Sequence, residues 1–209
     1  MTSSASPAAG ATPGRLPAAA RALRLVAGLA RSAGGATAVE FALASPVLIL
    51  LMLGSVELGR FVILNQKLDR VAVSMADLVA RSETISDSQI DDIFIAAAEV
   101  AQPFPIADAG RVFVSSVINP EGDGAEIAWQ RSGVGTLAES SRLGSEGNAA
   151  TLPSDFDVRE GETAIVAEVF FEFEPFLSEL ILQPQTVYKR AYHRPRLGTL
   201  DEIEEDNED

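Results

Sequence analysis

The stretch GGATAVEFALASPVLILLMLGSVELGRF, Gly34 to Phe61, decides the fold. Between Ala36 and Val56 its only ionisable side chain is Glu40. As a helix rising 1.5 Å per residue, 36–56 covers roughly 32 Å, which matches a hydrocarbon core of about 30 Å. A secretory signal peptide is the competing reading, but its apolar core would be shorter and would end in a small-residue cleavage site. Here the helical pattern continues, so a transmembrane helix over 36–56 is the expectation. Pro46 falls mid-span, where its missing N–H kinks a helix unless a neighbour such as Ser45 or another helix compensates.

Outward from this span the sequence changes character in both directions. Residues 1–35 hold four arginines (Arg15, Arg21, Arg24, Arg31) and no acid, so the other 12 basic residues face all 30 acids and the remainder carries −18. Short basic flanks stay on the cytoplasmic side, which predicts a cytoplasmic leader over 1–35 and an external acidic domain. Such a domain lacks the clustered Lys and Arg that phosphate backbones require, so nucleic acid is excluded as its partner. After the span, Glu57 and Arg60 stand at i, i+3, which permits an ion pair at the helix boundary or simply marks the end of the apolar run. Phe61, Leu64, Leu68, Val71, Met75 and Leu78 then recur at helical intervals, predicting an amphipathic stem over 57–83.

An acid inside an apolar span is costly and is a functional candidate by default, although Glu40 lies near enough to the cytoplasmic end to snorkel. Its surroundings are two glycines directly before the run, the carboxylate five residues after Gly35, and an aromatic next, Phe41. This pattern resembles the processing site of type IV prepilins. The resemblance implies cleavage by a prepilin peptidase between Gly35 and Ala36, with Glu40 at the fifth mature position facing the new amine of Ala36. The longer string AVEFALASPVLILLMLGSVELGRF, including Pro46, Glu57, Gly59 and Arg60, is similar to the amino-terminal signature of TadE/TadG-like minor pseudopilins of the tight-adherence (Flp) pilus system. ETAIVAEVFFEFEP with VYKRAYHRPR looks like their carboxyl-terminal part. Phe41 stands where the major Flp pilin commonly has tyrosine. The resemblance implies a non-catalytic subunit in the bacterial inner membrane. Its partners would be the peptidase, other pilins or pseudopilins, and the pilus assembly machinery.

For 84–198 the pattern predicts a small α+β domain. Ser86 and Gln89 form a capping box for a helix reaching about Ala101, closed by Pro103 and Pro105. Its apolar face is Ile90, Ile93, Phe94 and Ala97, with Asp91 and Asp92 on the solvated side. RVFVSSVIN (111–119) and AEIAWQR (125–131) read as strands of a hairpin turned by PEGDG. Residues 132–161 lack periodicity and read as a long mobile loop. ETAIVAEVFFEFEP gives a strand with Ile165, Ala167, Val169, Phe171 and Phe173 on its apolar face, and Glu168, Glu172 and Glu174 on a water-facing one. Phe170 breaks that second face and calls for a helix or a partner subunit to cover it. FLSELIL (176–182) is a short helix or turn, and TVYKRAYHRP (186–195) closes an antiparallel sheet. Its Lys189, Arg190, His193, Arg194 and Arg196 are expected to pair with the acids of the preceding strand, with the binding of an acidic partner as the alternative. Residues 199–209 read as a disordered acidic tail.

Few chemistries remain open. There is no cysteine and one histidine, so thiolate sites are excluded and no metal or cofactor is expected. Glu121 and Asp123 lack the spacing of a calcium loop. GxSxG, HExxH and Walker motifs are absent, so no catalytic residues are assigned and an enzyme is not expected. The alternative to a pilin-like subunit is a membrane-anchored binding or sensory module with an acidic external domain.

Overall fold

A computed structural model describes residues 17–31, 33–120, 124–176 and 182–204. The turn positions 121–123, residues 177–181 of the short helix or turn expected over 176–182, and the tail beyond 204 lie outside the described residues. The chain forms two compact units, Met1–Met52 and Leu53–Asp209.

The first unit is helical. It holds α1 (Ala18–Arg31), which the leader's composition had not signalled, and the beginning of α2 (Ala33–Ala80). α2 contains the apolar run and is the one helix among the described residues long and apolar enough to cross a membrane. Helix continues through Pro46. Proline at 46 leaves the Ala42 carbonyl without its i+4 amide, and the Ser45 hydroxyl donates to that same oxygen at 3.2 Å. Ser45 thus supplies the compensation that its position beside the proline suggested.

The second unit is α+β. The remainder of α2 is followed by α3 (Asp87–Ala101), a single turn α4 (Ile106–Ala109), β1 (Gly110–Ile118), β2 (Glu126–Gly133), β3 (Thr163–Phe173) and β4 (Gln185–His193). The strands form one antiparallel sheet in the order β2-β1-β3-β4. α3 starts where the sequence placed it. Ser86 accepts from the Gln89 amide at 3.4 Å, and the Gln89 side chain accepts from the Ser86 amide at 3.1 Å.

One sheet face packs on the stem. Leu64, Leu68, Val71, Ala72, Met75, Ala76, Val79 and Ala80 are buried at 0–1% exposure against Val112, Val114, Ile165, Ala167, Val169 and Phe171. Each large aliphatic side chain so covered contributes about 1.5–3 kcal/mol. The alanines at 72, 76 and 80 are fully buried in this interface. Leu78, expected in this stripe, is instead 42% exposed, and Val79 takes the inward position one residue on. α3 contributes Ile90, Phe94, Ala97 and Ala101 to the same core, with Ile93 partly buried.

The opposite face is covered by the connection between β2 and β3. Leu143 (1% exposed) and Val158 (2%) seat on Val117, Ile127, Ala164 and Val166, with Leu152 and Phe156 beside them. Periodicity could not reveal this packing because isolated anchors separated by irregular backbone carry no repeat.

The disordered tail expected from 199 is corrected for its first residues. Leu200 is 3% exposed and its carbonyl accepts from the Trp129 indole at 2.9 Å. The Arg196 amide reaches the Ala80 carbonyl, and the Glu204 amide the Ile85 carbonyl, both at 2.9 Å. Apolar Leu200 and Ile203, set among acids, are what dock the segment.

Candidate functional site

The residues singled out around the apolar run occupy successive positions on α2. The Gly35–Ala36 peptide lies in its first turns, and Ala36, Glu40 and Phe41 are exposed. Ala36 and Glu40 stand one turn apart, at i, i+4, so they share a helix face. Phe41 is 67% exposed. Gly34 and Gly35 each cost a helix about 1 kcal/mol relative to alanine, which weakens the first turn of α2.

At the other end of the run the structure builds more than a boundary. Glu57 is 1% exposed. Its Oε1 pairs with the Arg60 guanidinium at 3.1 Å, and its Oε2 accepts from the backbone amide of Phe176 at 2.9 Å. The guanidinium also lies over the Phe176 ring, 3.9 Å from its centroid, and 5.7 Å from that of Phe173. Glu57 therefore fastens the end of β3 to the helix, satisfying both a cation and an orphan amide. The i, i+3 spacing announced the ion pair, but a partner 119 residues away left no sequence signal. Beside this clasp opens a cleft of about 290 Å³ lined by Arg60, Phe104, Asp108, Phe171, Glu172 and Phe173.

Glu168 does not face water, and this corrects the reading of β3 as one solvated acidic face. It is 1% exposed. Its carboxylate accepts from the Ser141 hydroxyl, from the Arg142 amide at 3.1 Å and from the Tyr188 hydroxyl at 2.7 Å. Burial, and next the hydrogen bond to Glu168, push the Tyr188 phenol well above its ordinary value. Glu172 and Glu174 are exposed as expected. Phe170 is covered neither by a helix nor by a second subunit. It packs on Phe113 and Tyr188 of the neighbouring strands, with the Arg142 guanidinium 5.6 Å from its ring.

The basic cluster pairs with the preceding segment only in part. Lys189 reaches Asp69 at 3.4 Å and Arg196 reaches Asp77 at 3.2 Å, both on α2, while Arg194 meets Glu162 at 3.3 Å. Arg190 alone lies opposite an acid of β3, as the register partner of Glu168. Neighbouring Arg81 and then Arg196 hold the Asp77 carboxyl below its usual range. Among the described residues no group of three or more His, Cys, Asp or Glu side chains is placed to hold a metal ion.

Comparison with known families agrees with the resemblance drawn from the motif. Residues 35–76 match the family described as TadE-like protein, 42 of the 209 residues. The match begins at Gly35 and includes Glu40, Glu57 and Arg60. No curated protein and no solved structure matches the chain.

Proposed function

We propose that this chain is a non-catalytic, minor pilin-like subunit for assembly of a Tad/Flp-type pilus, cut by a prepilin peptidase between Gly35 and Ala36. One observation carries the reading. The TadE-like match over 35–76 starts at the glycine of the motif and covers the apolar helix that could hold the subunit in a membrane. In this reading the arginine-bearing leader is cytoplasmic, the helix spans the inner membrane, and the acidic α+β unit lies in the periplasm or on the assembled fibre.

Each chemical part has a task. Glycine at 35 lets unwound backbone enter a narrow protease cleft. Cleavage frees an amine at Ala36, and Glu40 offsets it within the subunit or on a neighbour, so two charges that would be expensive alone among apolar helices neutralise each other. The partners are the peptidase, other pilins or pseudopilins, and the assembly machinery.

The test is co-expression of tagged chain with and without a prepilin peptidase. Residues 1–35 are rich in Ala, Gly and Ser, so their loss removes about 3.2 kDa from the 22.1 kDa chain. Peptidase-dependent shortening with Ala36 as the new first residue is the expected result, and Gly35→Ala should stay long. Glu40→Gln should be cut yet impair assembly. A chain of unchanged size in the presence of active peptidase refutes processing. Indifference to Glu40→Gln leaves only an anchored binding module.

A further inference from the structure

Among the described residues Phe176 is the most exposed large apolar side chain, at 78%. It is also fixed in place. Its amide is bonded to Glu57, and its ring lies against the Arg60 guanidinium. Glu57 directly follows Val56, the last residue of the apolar run, and Arg60 is four residues beyond it, about 6 Å along a helix. The end of β3 is thus held at the level where the run stops.

The surroundings continue the apolar character past that level. Val56, Leu58, Val62 and Ile63 are each about half exposed, at 49–55%. A Phe ring gains by burying apolar area at the boundary between acyl chains and headgroups, and an arginine beside it keeps its apolar stem in the same layer while its charged head stays wet.

From this we infer that Phe176 and Arg60 seat the second unit on the outer surface of the lipid bilayer. The ring enters the headgroup and upper acyl region, and the partly exposed guanidinium turns toward lipid phosphates. The inference rests on the membrane anchoring proposed above and adds a contact site to it. Glu172 and Glu174, exposed on the same strand end, make the surface suited to zwitterionic rather than anionic lipid, whose negative potential repels them.

Tryptophan quenching by brominated lipid reads the contact directly, because the chain has a single tryptophan, Trp129, which is 3% exposed in the core. The full chain is reconstituted in phosphatidylcholine bilayers carrying bromines either high on the acyl chains or near the bilayer centre. Phe176→Trp keeps an aromatic ring over Arg60 and adds a second emitter. Its added emission should be mostly lost with the shallow bromines, and less so as phosphatidylglycerol replaces phosphatidylcholine. Leu50→Trp, inside the run, should be quenched by the deep bromines. If Leu50→Trp is quenched but Phe176→Trp is not, whether its ring is in water or covered by a second copy, the seating is wrong and the anchor stands. If Leu50→Trp is not quenched, the anchor fails and the seating with it. A denaturation midpoint of Phe176→Trp equal to that of the parent excludes misfolding as the cause of either result.

Discussion

Replacing Glu168 by alanine removes an acceptor shared by three donors at a site 1% exposed. A hydrogen bond to a charged group contributes about 1.5–3 kcal/mol, so three would sum to far more than one residue is worth. Two effects reduce the sum. Ser141 is only partly buried and can turn to water, and deleting the carboxylate also removes its own desolvation cost. What remains is the Arg142 amide and the Tyr188 hydroxyl without partners, for a net loss of about 2–4 kcal/mol. For a chain of this size that lowers Tm by roughly 5–15 °C. Glu168→Gln, which keeps a carbonyl acceptor, should lose about half as much. Denaturation of the full chain followed by Trp129 emission measures the global effect, since the indole sits on the opposite sheet face. Tryptic cleavage after exposed Arg142 measures the local one and should accelerate as the β2–β3 connection loosens. A change below about 0.5 kcal/mol, the range of an ordinary surface substitution, with unaltered cleavage, would mean that water already serves this carboxylate.

Three other outcomes are expected. Gly135→Ala should lower stability by about 2–4 kcal/mol in the same denaturation assay, because its φ is +95° and a Cβ there would sit 1.9 Å from the Gly110 carbonyl oxygen. Asp77 has its carboxyl pKa depressed by Arg81 and Arg196, so its contribution is present above the unfolded value of about 4 and is lost as pH falls below it. Asp77→Asn should flatten that acid limb of the stability profile. Tyr188 has its pKa raised, so its contribution is whole below about pH 10 and is lost as pH rises beyond. Tyr188→Phe should remove that alkaline loss while costing stability at neutral pH through the bond to Glu168.

The elements that were legible are those whose cause is local. The apolar run, the capping box at Ser86 and Gln89, the β1–β2 hairpin and the apolar face of β3 each announce themselves within a dozen residues. Gly35 and Glu40 lie within the span that matches the TadE-like family, residues 35–76. Glu168 was misread because alternation distinguishes two faces of a strand but not what covers the second one. The cover comes from Ser141 and Leu143 in a segment without periodicity. The basic cluster was assigned to the nearest strand in sequence, whereas two of its members, Lys189 and Arg196, reach acids more than 100 residues earlier on α2. Tertiary pairings of that kind depend on where the sheet lies against the helix, which spacing alone does not encode.

The docking of the last described residues onto Trp129, Ala80 and Ile85 has a consequence for biosynthesis. The helical stripe from Leu64 to Ala80 emerges early from the ribosome, whereas β3, β4 and the Leu200 strap that complete its cover come last. Closure of this core therefore waits until Leu200 has been synthesised, and a stop codon placed before it should yield a chain that chaperones and quality-control proteases treat as unfinished.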